Sequence, residues 1–157
     1  MPNLSTSAPN DTGTAATTLV LQGVYLKDCS FEAPQGPRAN GEWNPQISLD
    51  LNTNAQSIGG DVREVVLTVT VSAKQGEHTL FLVEVKQAGA FVMQNLSAEE
   101  LKRAVGSVCP SVLFPYARAV VSHLVSQGGF PQLLLPPVNF DALYANSLHE
   151  AANATKN

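Results

Sequence analysis

Carboxylates are the side chains of this sequence best placed to do chemistry. Asp28 and Glu32 stand close together, and Asp50, Glu64 and Glu84 recur on segments with a two-residue apolar period. Residues an even number apart on a strand share a face, so Asp28 and Glu32 look the same way. Two neighbouring carboxylates can serve as general acid and general base, but only where a pocket raises the pKa of one of them, and an open sheet face offers none. Their other use is electrostatic, as a docking surface for a basic partner that charge steers and salt weakens. An ordinary solvated sheet face reads the same way in sequence.

The remaining reactive types are unpatterned. His78, His123 and His149 form no H-x-x-x-H pair, and no serine sits in a G-x-S-x-G elbow. Solvated or structural histidines are the reading. Cys29 and Cys109 lie far apart without C-x-x-C spacing, which supplies neither a zinc set nor a disulfide framework and suits a reducing compartment. Cys109 precedes a proline, has no base arranged beside it, and reads as a small buried side chain. No catalytic residue, metal site or cofactor is predicted.

Composition narrows the partners. The chain has 157 residues, 44% of them hydrophobic, enough for one core and short for two. With 14% of residues charged and a net charge of -4, it has no basic surface to displace counterions from a phosphate backbone, so nucleic acid is not an expected partner. No apolar run approaches the roughly 18 residues that span a bilayer, and no membrane insertion is expected. Residues 1–18 are rich in Ser, Thr, Asn and Pro, with neither a basic start nor an apolar middle. They read as a disordered tail and not as a secretory signal. The folded domain is expected over 19–148, with a flexible tail over 149–157.

These side chains need elements to place them. Strand patterns run over Leu19 to Phe31, Gln46 to Asn52, Val62 to Lys74 and His78 to Gln87. The turns at Gly59-Gly60-Asp61 and Gln75-Gly76 make an antiparallel sheet, buried on one face and wet on the other. By alternation Tyr25, Cys29 and Phe31 share the apolar side of the first strand, while Asp28, Glu32, Asp50, Glu64 and Glu84 share the wet side. In the absence of bulges that side is an acidic plateau carrying Leu82, with Lys86 and Lys74 as its cations. A long loop from Pro34 to Pro45 holds one large apolar residue, Trp43, an anchor on the domain or a ligand contact. Ser97-Ala98-Glu99-Glu100 is a capping box that starts a helix at Ala98. That helix is expected to end near Cys109-Pro110, and a second to run from Ser111 to Gln127. Asn139 caps a third, with Phe140, Leu143, Tyr144 and Leu148 on one side. The fold class is α+β, a four-stranded antiparallel sheet whose helices cover one face. The apolar, proline-stiffened run Phe130 to Val138 exceeds what that cover needs, a surplus that suits subunit contacts or a groove for extended chains.

The stretches Lys27-Asp28-Cys29-Ser30-Phe31-Glu32-Ala33-Pro34, Glu64-Val65-Val66-Leu67-Thr68-Val69-Thr70-Val71, Leu113 to Arg118 and Phe130 to Tyr144 resemble the SecB family of protein-export chaperones. The resemblance covers about Leu19 to Leu148. It implies a cytoplasmic holdase without enzymatic activity or need of a nucleotide, assembled as a homotetramer, a dimer of dimers. Such a protein holds unfolded precursor proteins and delivers them to the SecA export motor. By motif, Asp28, Glu32, Leu82 and Glu84 are similar to the family's docking site for SecA, whose basic tail brings its own zinc. Val83, Val85 and Gln87 are similar to positions used in assembly. The substrate groove implied by the resemblance involves Phe31, Trp43, Leu133, Leu135, Tyr144 and Leu148. The Ser/Thr-rich start is longer than usual in the family, and Leu134 and Pro136 vary its terminal motif. The rivals are a general or antitoxin-dedicated chaperone on the same fold, an enzyme using Asp28 and Glu32 as acid and base, and a purely structural oligomer.

Overall fold

A computed structural model describes residues 15–37 and 42–156. Most of the expected N-terminal tail and positions 38–41 of the long loop fall outside the described residues. Four strands, β1 (Thr18–Glu32), β2 (Gln46–Gly59), β3 (Val62–Gln75) and β4 (His78–Gln94), form one antiparallel sheet in the order β1-β4-β3-β2. The α+β expectation holds, with all helices after the sheet. Val65, Leu67, Val69 and Val71 of β3 and Phe81, Val83 and Val85 of β4 are fully buried on one face, as strict alternation requires of a sheet covered on one side.

Strands β2 and β4 run further than their patterns suggest. Asn54-Ala55-Gln56-Ser57 and Ala88-Gly89-Ala90 have weak strand propensity, but both are paired to β3 along their length, and cross-strand pairing outweighs propensity. Gly89 is also required by packing: a Cβ there would lie 2.8 Å from the Phe91 ring and 2.9 Å from Leu113.

The expected break in the long helix is absent. α1 (Ala98–Arg103), a π-helical turn (Ala104–Val108) and α2 (Cys109–Gln127) join end to end as one rod, Ala98–Gln127. Pro110 has no N–H for the carbonyl four residues back, and an α-helix would also clash its ring there. The π turn removes the conflict by widening the ladder just before it, with the Cys109 N–H bonded to the Ala104 carbonyl. Pro115 lies inside α2, beyond its first turn. The start is as expected: Glu100 N–H donates to Ser97 Oγ at 3.1 Å, and Ser97 N–H to Glu100 Oε2 at 3.3 Å.

As one piece the rod is long and apolar enough to cross a bilayer by length and composition, a property the split reading concealed. One side of it is committed to the sheet, where Leu113, Phe114, Ala117, Val121 and Val125 are buried in the common core. After it, Phe130 and Leu135 enter that core from an irregular segment, and Asn139 caps α3 (Phe140–Ala154) by accepting from Ala142 N–H at 3.0 Å. Helix α3 continues past Leu148 because Ala151, Ala152 and Ala154 are strong helix formers. It is pinned by Phe140 against Phe114, with ring centroids 5.7 Å apart, and by Tyr144 lying over Gly106 of the π turn. Asp141 accepts from the Ser107 hydroxyl and pairs with Arg103 at 3.5 Å, contacts that hold its carboxyl below the usual range.

Candidate functional site

Strand register brings the motif residues of β1 and β4 together. Asp28 lies opposite Lys86, Ser30 opposite Glu84 and Glu32 opposite Leu82, all on the face away from the helices. Directly opposed residues have Cβ atoms about 5 Å apart, so Asp28, Glu32, Leu82 and Glu84 make one patch two strands wide. Asp50 extends it through Thr70, which lies opposite both Asp50 and Glu84. Asp28 and Glu32 are exposed, Leu82 keeps 39% of its surface, and among the described residues none of the three carboxylates is in an ion pair. This is an apolar side chain flanked by Glu32 and Glu84 on an open sheet, a surface for association and a poor site for acid and base chemistry.

Two bulges in β1, between Leu21 and Gly23 and between Leu26 and Asp28, correct the plateau. Each flips side-chain parity. Between them Tyr25 moves to the polar face, opposite Ala88, while Val24 turns to the core. Past the second bulge, Cys29 and Phe31 return to the expected side. Glu64 lies on the polar face but is only 7% exposed, so it is not open acidic surface. It accepts from the Tyr25 hydroxyl, from Lys27 Nζ at 2.5 Å and from Gln56 Nε2 at 3.2 Å. Lys27, then Tyr25, hold the Glu64 carboxyl below the ordinary glutamate range, and the bonded carboxylate pushes the Tyr25 phenol up to about 12. A lowered folded pKa means stabilisation that is present above the unfolded value and lost as pH falls through the folded one. Glu64→Gln is therefore expected to cost about 1.5–3 kcal/mol near neutral pH and progressively less in acid, checked by urea unfolding of both proteins at neutral pH and near pH 3.

The groove candidates divide. Phe31 stacks on Phe81 with centroids 6.0 Å apart, and Phe130 completes the cluster at 5.1 Å from Phe81. Trp43 lies 5.9 Å from Phe130 and is 43% exposed, so it is anchored and still offers its ring to a ligand. Gly128 gives Phe31 its seat, since a Cβ there would collide with the ring. Leu133 is half-buried on the core. Leu135, 4% exposed, belongs to the core and has almost no surface for a client. Tyr144 and Leu148 instead border a separate apolar hollow of about 430 Å³, with Thr53, Leu101, Val105 and Gly106. Sequence reading missed Phe81 and Phe130 as the floor beneath Phe31 and Trp43. Phe81 looked like any core residue by parity, and only the return of the chain at Gly128 sets Phe130 against it.

The assembly candidates sit deeper than the resemblance suggests. Val83, Val85 and Gln87 are buried within the protomer, on the sheet face that α2 covers, and Val83 and Val85 have no exposed surface in the single chain. Gln87 Nε2 donates to the Tyr25 carbonyl at 3.0 Å and borders a hollow of about 520 Å³ between β1 and α2. Along the rod Val108, Val112 and Tyr116 recur every four residues and are exposed, and Tyr116 borders that hollow together with the exposed Leu26 of the edge strand β1. The other reactive groups are scattered. His78, His123 and His149 are exposed on three different elements, and burial pushes the Cys109 thiol up to about 12, far from a nucleophile's range.

The model of the family described as preprotein translocase subunit SecB matches residues 12–151. The chain belongs to the SecB family. It is 49% identical over 135 residues to the protein-export protein SecB of Ectopseudomonas mendocina (strain ymp), covering 85% of this chain and 84% of that one. To the protein-export protein SecB of Pseudomonas paraeruginosa (strain DSM 24068 / PA7) it is 52% identical over 130 residues, covering 82% and 80%. Among solved structures, a SecB-like chaperone of Mycobacterium tuberculosis in complex with a peptide from an antitoxin superposes with a TM-score of 0.64 at 15% identity, covering 78% of this chain and 91% of that one. At that identity the likeness shows the fold, a SecB-like sheet with helices on one side.

Proposed function

We propose that this protein is a cytoplasmic, ATP-independent holdase that binds unfolded precursor proteins, keeps them competent for translocation and delivers them to SecA. The observation that carries the reading is the separation of two surfaces by one sheet. Asp28, Glu32, Leu82 and Glu84 lie on the open face, while Phe31, Trp43 and Phe130 gather beside the helices. Capture and delivery then use different surfaces, so a client need not leave before the motor docks. Exposed apolar segments of an unfolded chain bind the aromatic cluster and the Tyr144–Leu148 hollow on several subunits, and weak contacts add through high effective concentration.

The working assembly is a homotetramer, a dimer of dimers, formed through the exposed stripe of the rod and the unpaired edge of β1. Val83, Val85 and Gln87 act on assembly indirectly, by seating α2. The working unit is the domain from about residue 19 to the end of α3, which carries the first part of the expected 149–157 tail as helix through Ala154. The likeness to an antitoxin-bound chaperone supports a second reading, a dedicated chaperone on the same fold, which loses motor docking and keeps a narrow client range.

The test is capture of a denatured, slow-folding precursor beside its folded form. Reversible binding of the unfolded form alone, with refolding delayed and no ATP present, is the expected result. No binding across a range of clients refutes the holdase reading.

A further inference from the structure

Glu64 has none of the roles above. It is too buried to meet a partner, yet it gathers side chains from β1 and β2 at one point on β3. Lys27 is the extra residue of the second β1 bulge, immediately before Asp28. A bulge leaves two successive side chains opposing one partner residue, so Lys27 comes to the same face as the docking carboxylate. Its ammonium reaches across β4 to Glu64, at 2.5 Å, and borders a polar hollow of about 410 Å³ that also includes Lys86. Lys86 already stands opposite Asp28. A second, loose ammonium on this patch would offset Glu32 or Glu84 as well.

We infer that Glu64 is a positioning residue of the docking face, holding the Lys27 ammonium down and neutralised so that a basic partner meets carboxylates instead of a lysine. The inference rests on the docking reading above and deepens it. Tyr25 and Gln56 complete the seat, and Gln87 fastens the same bulge from the core side through the Tyr25 carbonyl. The electrostatic consequence is specific. Removing Glu64 raises the positive charge beside Asp28, whereas removing Lys27 lowers it, so the two changes have opposite effects on a basic partner.

The experiment titrates full-length SecA onto the intact protein, wild type, Glu64→Gln, Lys27→Met and the double variant, at low and high salt, with melting temperature and mass recorded for each. Glu64→Gln is expected to weaken docking about fivefold at low salt, with the deficit closing at high salt. Lys27→Met alone is expected to dock at least as tightly as wild type, and the double variant to recover wild-type affinity, a rescue that loss of structure would not give. Wild-type docking by Glu64→Gln, or a deficit that the double variant keeps, overturns the inference. If Glu64→Gln fails to fold, weaker docking by Lys27→Met overturns it and tighter docking supports it. Wild type that docks no SecA at all overturns the docking reading together with it, whereas failure of the variants alone leaves that reading standing.

Discussion

Glu84→Lys lowers affinity for SecA by roughly 2 kcal/mol, about thirtyfold, and leaves capture of unfolded precursor unchanged. The residue faces the open side of the sheet, between Ser30 and Thr70, in the patch with Asp28, Glu32 and Leu82. Reversing its charge removes an attraction and adds a repulsion at a surface where potentials act through water, which sets the modest energy per charge. Because the screening length falls from about 10 Å at 0.1 M salt to about 3 Å at 1 M, the deficit shrinks as salt rises. Phe31, Phe81, Phe130 and Trp43 lie on the other side of the sheet and do not feel the change. Binding assays for motor and client run side by side on the same variant check this, and equal loss of both would sink the separation of the two surfaces.

Tyr116→Asp is expected to break the proposed tetramer and spare the protomer. Tyr116 is 50% exposed in the single chain, follows the exposed Val108 and Val112 at four-residue spacing, and borders the hollow beside Leu26 of β1. In a dry contact between subunits a carboxylate without a partner costs several kcal/mol, more than a side chain at an interface rim contributes. Light scattering is expected to report a mass below the tetramer, with the far-ultraviolet circular dichroism unchanged. An undiminished mass would remove the stripe from the interface. Val85→Asp gives the contrast, because Val85 is fully buried between sheet and helix. Here the protomer itself unfolds, and any loss of assembly is secondary. Comparing the two separates residues that touch a neighbour from residues that only shape the helix that does.

Much of this was legible locally. Alternation in Ile47-Ser48-Leu49-Asp50-Leu51 and in β3 assigned both sheet faces, and the capping box at Ser97 and the Asn139 cap located two helix starts. Those signals are carried by neighbours in the chain, so they survive in sequence. The polar face of Asp28, Glu32, Leu82 and Glu84 was legible for the same reason, since strand parity needs only counting.

What escaped depended on partners distant in sequence. Parity counting cannot see a bulge, because the extra residue is defined by the facing strand, so it puts Tyr25 on the core side and leaves out the Tyr25 and Lys27 side chains that cover Glu64. Pro110 looked like a helix end until the π turn, held against β2 and α3, carried the helix through it. Motifs single out Leu135 as a groove candidate and Val83, Val85 and Gln87 as assembly candidates, and a motif does not report depth, which here is 0–4% exposure for all four. Sequence by itself determined the order and type of the elements, the apolar faces of the unbulged strands and the family. The tertiary structure alone decided which polar groups are neutralised, which apolar side chains remain open, and how far the long helix extends, because each of these depends on pairing and burial between segments remote along the chain.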